Sequence, residues 1–306
     1  MKDLVIIGAG PAGLTAAIYG IRSGLDLAVI EKLSPGGQVM NTYEVENYPG
    51  FEEPVAGWEL MSRMENQARR LGAEIVSGDV ASFSRDADTG VFRVTLSDAG
   101  VIEGKTVIAA SGASYRRLGV PGEEQYLGHG VSFCATCDGA FYKERVCAVI
   151  GGGNTALEEA HFLTRFASKV YLVHRRDRFR GVKILQDRVL ASGKIEPVLD
   201  TVVESINGAT KVESLAIKNV KTGGQSTLAV DGVFVFIGFD ANTGYLPKEV
   251  LDESRGVKTD INMKTSIPGL FAAGDLRSGS KRQIVMAAAD GATAALEAYE
   301  YILGLT

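Results

Sequence analysis

Residues 4–13, Leu-Val-Ile-Ile-Gly-Ala-Gly-Pro-Ala-Gly, decide the fold of this chain. Four apolar residues predict a buried strand, and a Gly-x-Gly-x-x-Gly turn follows them directly. Leu14 to Gly24 then predict a helix, and residues 27–30 predict a second strand that ends at Glu31. A strand, a glycine turn, a helix and a second strand ending in an acid form the unit that binds dinucleotides.

The residue types of this unit suit a nucleotide with a pyrophosphate. Gly8, Gly10 and Gly13 permit a tight turn and a close approach of the backbone to the ligand, which rests on the N-terminus of the helix. Glu31 can accept hydrogen bonds from both hydroxyls of an adenosine ribose. The alternative is a glycine-rich loop that serves packing alone.

A second unit of the same kind begins at the apolar residues 146–150. Residues 151–156, Gly-Gly-Gly-Asn-Thr-Ala, form its turn, and a helix from Ala156 to about Phe166 and a strand at 169–173 follow. His174 stands where the first unit has Glu31, and Arg175, Arg176 and Arg180 come next. Guanidinium groups bind a 2′-phosphate that a carboxylate would repel, so this pattern predicts NADPH rather than NADH. A solvated basic helix start is the alternative.

Between the two turns lies Ser-Phe-Cys-Ala-Thr-Cys-Asp-Gly, residues 132–139. Two thiols at Cys-x-x-Cys spacing can close a small disulfide that opens and recloses by thiolate attack. The same spacing can also supply half of a zinc site. The third cysteine, Cys147, falls in an apolar strand, which is typical of a small core residue.

The rest of the chain supports the two nucleotide units. Short strands are predicted between residues 80 and 110, with a hairpin at Asp88-Thr89-Gly90, and again at 211–217, 226–230 and 231–238. We expect the chain to cross between domains near 112–118 and to return from about 231–238. Residues 269–275 predict a strand ending in Gly-Asp, and an alanine-rich helix follows at 285–303. A carboxylate at that strand end suits ribityl and pyrophosphate groups.

The composition narrows the class of protein. A chain of 306 residues is long enough for two domains. Its 37 glycines are about 12% of the residues, compared with a usual proportion of about 7%. The net charge of −5 and the absence of a basic tract disfavour nucleic acid as a partner. No run approaches the ~18 apolar residues of a membrane span, and no signal peptide is apparent. Three cysteines argue against an extracellular disulfide framework, so we expect a cytoplasmic protein.

These motifs together resemble the low-molecular-weight, bacterial-type thioredoxin reductases, and the resemblance covers essentially the whole chain. It implies an α/β protein with two Rossmann-like, three-layer ββα nucleotide-binding domains. The NADPH domain, 115–243, carries the redox cysteines and is inserted into an FAD domain made of 1–114 and 244–306. The motifs that carry the resemblance are Gly8–Gly13, Gly36–Gln38, Glu44–Gly50, Cys134–Gly139, Gly151–Ala156, His174–Arg176 with Arg180, Gly274-Asp275 and Arg282-Gln283.

The resemblance also implies the site residues and the partners. It implies FAD and NADPH as cofactors, no metal, a homodimer, and thioredoxin or a thioredoxin-like protein as substrate, without nucleic acid or membrane. The implied FAD residues are Gly8, Gly10, Gly13, Glu31, Gly37, Gln38, Asn47, Gly274, Asp275, Arg282, Gln283 and Ile284. The implied NADPH residues are Gly151, Gly153, Asn154, Thr155, His174, Arg175, Arg176 and Arg180.

The implied mechanism is a relay from NADPH through FAD to a Cys134–Cys137 disulfide and then to thioredoxin, the reaction of EC 1.8.1.9. Cys137 would face the flavin, Cys134 would attack the partner disulfide, and Asp138 would supply or remove a thiol proton. A turn or cap carboxylate is the alternative for Asp138. One disulfide cannot meet the flavin and a protein substrate at once, so we expect the inserted domain to rotate about the crossings.

Two departures and several alternatives remain at this point. Where a related reductase has an Arg before the cysteine motif and two Phe after it, this chain has His129 and Ala140-Phe141, on the surface expected to meet the partner. Another flavin-dependent dithiol enzyme with a different thioredoxin-like partner is the main alternative. A peroxiredoxin-reducing flavoprotein, an oxygen-dependent dithiol oxidase, a ferredoxin–NADP reductase and a zinc-stapled or redox-sensing nucleotide-binding module are further ones.

Overall fold

The computed structural model describes residues 1–42, 45 and 47–304, without the side chains of Asn41, Thr136 and Cys137. The chain divides into two compact units. The first unit consists of Met1–Ser114 and Asp240–Thr306, and the second consists of Tyr115–Phe239. The first unit is therefore discontinuous in sequence, and the second lies between its two segments.

The first segment of the first unit alternates strands and helices and then forms a meander. Its elements are β1 (Lys2–Ile7), α1 (Pro11–Arg22), β2 (Leu27–Glu31), α2 (Gly57–Arg70), β3 (Glu74–Ser77), β4 (Val80–Arg85), β5 (Phe92–Leu96), β6 (Val101–Ala109) and β7 (Ala113–Tyr115), with a 3₁₀ turn at Gly37–Asn41. Pro11 at the first helical position suits α1, because proline has no N–H to leave unpaired there.

The second unit contains two kinds of sheet. Its elements are β8 (Val131–Ser132), α3 (Ala135–Asp138), β9 (Val146–Gly151), α4 (Asn154–Leu163), β10 (Lys169–Val173), α5 (Lys183–Leu190), β11 (Ile195–Val198), β12 (Thr201–Asn207), β13 (Ser214–Asn219), β14 (Gln225–Ala229) and β15 (Gly232–Phe236), with a 3₁₀ turn at Gly139–Tyr142. The chain then returns through β16 (Phe239–Ala241), a 3₁₀ turn (Lys248–Val250), β17 (Leu270–Ala272) and α6 (Ile284–Ile302).

The sheet of the first unit is assembled from both of its segments. Its strand order is β3-β2-β1-β6-β5-β4, and β17 also pairs with β6. β1 is parallel to β2 and β6, whereas β4 and β5 form an antiparallel hairpin that extends the sheet. Alternate residues of β1 face two cores, because Leu4 and Ile6 pack with the helices while Val5 and Ile7 pack with the meander.

The second unit has three layers. Its parallel sheet runs β11-β10-β9-β15-β8, and β12, β13 and β14 form a separate antiparallel sheet. Cys147 and Val149 of β9 pack against the helices, and Ala148 and Ile150 pack against the antiparallel sheet. The two crossings of the chain, β7 and β16, run side by side as a two-stranded sheet.

The structure confirms the α/β class and the Rossmann-like arrangement predicted from the glycine turns. It also confirms the hairpin around Asp88-Thr89-Gly90 and the burial of Cys147, which is a free thiol. Five strands were not predicted, namely β7, β8, β11, β12 and β16. Within the described ranges, no helix is long and apolar enough to cross a membrane.

Candidate functional site

The first glycine turn joins β1 to α1. A Cβ on Gly13 would lie 1.8 Å from the carbonyl oxygen of Gly8, so this glycine lets the helix approach the strand. Gly8 has φ +106°, and its Cβ would lie 2.4 Å from the carbonyl oxygen of Ala110. Gly10 differs, because a Cβ there would meet no described atom within 4 Å. Packing therefore explains Gly8 and Gly13, whereas the open space at Gly10 could hold a phosphate group.

Glu31 is fixed beside this turn by backbone amides. Its carboxylate accepts hydrogen bonds from the N–H groups of Ala9, at 2.7 Å, and Leu33, at 3.0 Å. The following loop returns to the turn, where the N–H of Gly36 donates to the carbonyl oxygen of Ala9 at 2.8 Å. Gly37 and Gln38 come next and are exposed, so a ligand on the turn could reach both.

Two predicted residues from opposite ends of the chain meet at the start of α6. The side-chain amide of Asn47 donates to the amide oxygen of Gln283 at 3.0 Å, across 236 residues of sequence. Gln283 is the N-cap of α6, Arg282 before it has φ +53°, and Ile284 opens the helix. The structure therefore brings these residues together on the first unit. The neighbouring residues 44 and 46 of the Glu44–Gly50 motif lie outside the described residues.

The Gly274-Asp275 pair follows the end of β17. Burial raises the pKa of Asp275, while a hydrogen bond from Ser280, at 3.1 Å, and the charge of Arg282 act in the opposite direction. Gly274 has φ +86°, and its Cβ would lie 3.0 Å from the Cβ of Ala12 on α1. The carboxylate of Asp275 is thus held in a confined, partly buried place beside the first glycine turn.

Two residues that the sequence did not single out fix this strand end. The carboxylate of Asp290, on α6, accepts a hydrogen bond from the N–H of Gly274 at 3.1 Å and one from the guanidinium of Arg277 at 2.6 Å. Arg277 also donates to the hydroxyl of Thr259 at 2.9 Å. The side chains of Asp290 and Arg277 are only 11% and 18% exposed, respectively. The available signal was an acid beside a glycine in an alanine-rich helix, since Asp290 precedes Gly291.

The second glycine turn repeats the geometry of the first. Gly153 is the N-cap of α4 in an extended conformation, as Gly10 is for α1, and a Cβ on Gly153 would also meet no described atom within 4 Å. A Cβ on Gly151 would lie 2.3 Å from the carbonyl oxygen of Phe236. The side chain of Asn154 accepts a hydrogen bond from the N–H of Val182 at 2.8 Å, while Thr155 is exposed.

The arginine segment is tied to this turn by its backbone. The N–H of Arg180 donates to the carbonyl oxygen of Gly152 at 2.7 Å. The side chains of Arg175, Arg176 and Arg180 are exposed, so they could bind a phosphate beside the turn.

His174 lies beneath the turn rather than on its surface. A Cβ on Gly152 would lie 2.4 Å from the imidazole, which is 5% exposed. Burial lowers the pKa of His174, and the charges of Arg180, Arg176 and Arg175 lower it further. Its Nε2 atom is buried without a hydrogen-bond partner among the described residues. The neutral imidazole therefore supports the turn from below.

The cysteine turn, residues 133–139, lies between β8 and β9 in the same unit. Cys134 precedes the short helix α3, is half-buried and is bonded in a disulfide. The hydroxyl of Ser132, another residue not predicted, accepts a hydrogen bond from the N–H of Cys134 at 3.0 Å and donates to its carbonyl oxygen at 3.2 Å. The side chain of Cys137 lies outside the described residues.

Asp138 ends α3 and is half-buried. Its N–H donates to the carbonyl oxygen of Cys134 at 3.2 Å. Although it occupies the N-cap of the following 3₁₀ turn, its carboxylate makes no capping hydrogen bond in the described structure. This observation disfavours the cap interpretation of Asp138.

Around the cysteine turn the surface is exposed and partly apolar. His129 and Ala140 are exposed, and Phe141 is 80% exposed. In the described part of the chain, no group of three His, Cys, Asp or Glu side chains could hold a metal ion. The arrangement therefore combines two nucleotide-type turns and one disulfide, a set suited to redox chemistry.

Comparison with known proteins extends the argument to the whole chain. Residues 2–291 match the model of the family described as pyridine nucleotide-disulphide oxidoreductase. A thioredoxin reductase of Listeria innocua is 44% identical over 98% of this chain and 93% of its own length. A thioredoxin reductase of Helicobacter pylori is 45% identical over 99% of both chains. The solved thioredoxin reductase of Lactococcus lactis, in its FR conformation, is 42% identical over 100% of both chains, with a TM-score of 0.88.

Proposed function

Because this chain belongs to the thioredoxin reductases of the pyridine nucleotide-disulphide oxidoreductase family, we propose that it transfers electrons from NADPH, through FAD and its own disulfide, to thioredoxin. The observation that carries the proposal is the disulfide of Cys134, which lies in the same unit as the arginine-flanked glycine turn. FAD, when bound, would supply the hydride acceptor for NADPH and the two-electron donor for the disulfide.

The first unit holds FAD in this proposal. The open space at Gly10 and the N-terminus of α1 receive the pyrophosphate, and Glu31 accepts hydrogen bonds from the ribose. The Asn47–Gln283 pair and Asp275 would hold the rest of the cofactor. The other residues of this set are Gly8, Gly13, Gly37, Gln38, Gly274, Arg282 and Ile284.

The second unit holds NADPH. Gly153 and the N-terminus of α4 receive its pyrophosphate, with Gly151, Asn154 and Thr155 forming the turn. The exposed guanidinium groups of Arg175, Arg176 and Arg180 bind the 2′-phosphate. His174 contributes by supporting Gly152 from beneath, with its imidazole neutral.

The cysteine turn carries the second half of the reaction. Two electrons break the Cys134–Cys137 bond, and with two protons they leave two thiols. The thiolate of Cys134 then attacks the disulfide of thioredoxin, and Cys137 resolves the mixed disulfide, so that two thiols appear on the partner. Asp138 takes and returns the thiol proton.

Three further features belong to the proposal. The chain works as a homodimer in the cytoplasm, where NADPH is available and thiols stay reduced. The second unit rotates about the crossings β7 and β16, so that one disulfide serves flavin and partner in turn. A disulfide engineered between those strands should stop turnover until it is reduced, and undiminished turnover in its oxidised form would contradict the rotation.

An anaerobic titration tests the proposed function. The yellow protein should take up two electron pairs from NADPH, one for the flavin and one for the disulfide, and should pass electrons to added thioredoxin. Uptake of a single pair would remove the disulfide from the path. Two pairs without transfer to thioredoxin would favour a different thioredoxin-like partner, which is the alternative that the exposed His129 and Phe141 surface raises.

A further inference from the structure

A half-buried acid with one buried carboxylate oxygen lies directly under the cysteine turn. Glu159 is on α4, and its carboxylate accepts a hydrogen bond from the backbone N–H of Ala135, the first residue of α3. Its Oε2 atom is buried and has no hydrogen-bond partner among the described residues. Buried carboxylate oxygens without partners are rare in folded proteins, so this one needs an explanation.

The packing holds Glu159 in this position. Its neighbours on α4, Leu157, Ala160 and Leu163, are fully buried, as is Ala135 on the turn. A Cβ on Gly139 would lie 3.1 Å from the side chain of Leu163, which shows how closely the cysteine turn is packed on α4. The acid is therefore confined between the helix and the turn.

The charged and titratable groups around Glu159 come from each element that contacts it. Glu158 adjoins it on α4, and Tyr115 comes from the crossing strand β7. The cysteine turn, whose helix α3 packs on α4, carries Cys134 and Asp138, and the guanidinium of Arg117 lies 4.5 Å from the ring centre of Phe133 on that turn. Burial, and then the charge of Glu158, raise the pKa of Glu159 to about 7, against a smaller opposing effect of the Ala135 N–H.

We propose that Glu159 is a positioning residue of the disulfide chemistry, which fixes the first amide of α3 and controls by its charge how readily Cys134 becomes a thiolate. The inference rests on the proposed function, because it assigns the turn a redox role. Asp138 remains the group that exchanges the thiol proton, and Glu159 acts on Cys134 through the backbone and through space.

The sign of the effect follows from the charges. An ionised Glu159 disfavours a second negative charge nearby and raises the pKa of the Cys134 thiol, whereas a protonated Glu159 does not. The two groups therefore titrate as a coupled pair. No atoms are exchanged between them: the thiol proton leaves to Asp138 or water, and Glu159 gains or loses its own proton to solvent.

The size of the effect follows from the distance. A hydrogen bond to the Ala135 N–H places the carboxylate about 4–7 Å from the sulfur of Cys134, given standard backbone dimensions. At that distance, with the screening expected for a half-buried thiol, one charge shifts a pKa by about one unit. We therefore expect about a tenfold change in the thiolate fraction of Cys134 where Glu159 is ionised and the thiol is not.

The rate at which iodoacetamide alkylates Cys134 tests this in the dithiothreitol-reduced holoprotein. The rate is followed by mass spectrometry across pH and needs neither NADPH nor thioredoxin, so a failure of the proposed function would not affect it. Glu159→Gln retains an acceptor for the Ala135 N–H but loses the charge. Above about pH 7 we expect it to be alkylated up to about tenfold faster than the wild type, with equal rates at lower pH.

Two further variants make the test decisive. Glu124→Gln, an exposed carboxylate of the same unit, is the matched control and should follow the wild-type profile. Glu158→Gln removes a charge that raises the pKa of Glu159, so Glu159 should ionise, and the alkylation of Cys134 should slow, from a lower pH than in the wild type. This variant carries the test if Glu159→Gln fails to fold. An unshifted profile in folded Glu159→Gln, or in Glu158→Gln if Glu159→Gln does not fold, would overturn the proposal. A rise at every pH, with labelling of buried Cys147, would also overturn it, because the role would then be structural alone.

Discussion

Replacement of Asp290 should destabilise the first unit more than any exposed substitution on the same helix. Asp290→Ala leaves Arg277 as a nearly buried cation without its carboxylate and leaves the N–H of Gly274 without its acceptor. Breaking one partner of a buried ion pair costs about 3–5 kcal/mol, and an orphaned buried donor costs about 1–3 kcal/mol. The side chains are 11% and 18% exposed, so water recovers part of this, and we expect about 3–4 kcal/mol.

The chain offers a probe for this measurement. Its one tryptophan, Trp58, lies on α2 of the first unit, so tryptophan fluorescence during urea unfolding of the flavin-free protein reports on that unit. Glu300→Ala, an exposed acid of α6, is the matched control and should change the free energy of unfolding by less than about 0.5 kcal/mol.

A double-mutant cycle separates the ion pair from the other contacts. Arg277→Ala alone should cost less than Asp290→Ala, because Gly274 keeps its acceptor, and the two changes should couple by about 1–3 kcal/mol. FAD affinity should fall in both variants and not in Glu300→Ala, since the pair fixes the strand end that carries Asp275. A loss below about 1 kcal/mol for Asp290→Ala, or a coupling energy of zero, would refute this account.

Three further predictions concern the nucleotide turns and the free thiol. Arg176→Ala should weaken NADPH binding about 10- to 100-fold in calorimetry and leave NADH binding unchanged, whereas equal losses for both nucleotides would remove the 2′-phosphate assignment. Gly10→Ala should fold with a free energy of unfolding within about 1 kcal/mol of wild type but bind FAD at least tenfold more weakly. Gly13→Ala, whose Cβ would lie 1.8 Å from a carbonyl oxygen, should not fold. Normal FAD binding by Gly10→Ala would contradict the assignment of the pyrophosphate to the open space at Gly10. Burial raises the pKa of Cys147 from 9.0 to about 12, so above pH 9 the folded state keeps a proton that the unfolded state loses. The free energy of unfolding should therefore fall above pH 9 by up to about 1.4 kcal/mol per pH unit, and less steeply in Cys147→Ala. Parallel pH profiles for the two proteins would show that this thiol makes no contribution.

The elements predicted from sequence are those whose pattern is local. Both glycine turns follow apolar strands and precede helices, so each predicts its own unit without knowledge of the rest. The strand at Ile195–Val198 was missed because Pro197 argues against a central strand, and it lies at the edge of its sheet, where proline is tolerated. The strand at Thr201–Asn207 contains polar residues that only the neighbouring strand β13 explains.

The residues of the candidate site likewise fall into those that a local motif identifies and those that it does not. The glycines, Glu31 and the arginines were predicted because motif and spacing identify them. Asp290 was not, because its partners stand in a loop whose path the sequence does not reveal. The side-by-side acids Glu158 and Glu159 look equivalent in sequence, and only the phase of α4 against the cysteine turn separates the exposed one from the half-buried one.

His174 illustrates a different limit. Its position in the second unit corresponds to that of Glu31 in the first, which predicted contact with the nucleotide. The structure gives the residue at that register a buried ring under Gly152, so its effect on the nucleotide passes through the turn. Register predicts where a residue is along a strand but not the depth of its side chain.

The division of the first unit between two segments has a consequence for protein synthesis. α6 packs closely against α1 at Gly291, where a Cβ would lie 2.1 Å from the carbonyl oxygen of Ala12, so the first unit is complete only when α6 is in place. The ribosome makes the whole second unit before β17 and α6, so the second unit can fold while the first still lacks a strand and a helix. A nascent chain released before residue 284 should therefore carry a folded disulfide unit and no flavin.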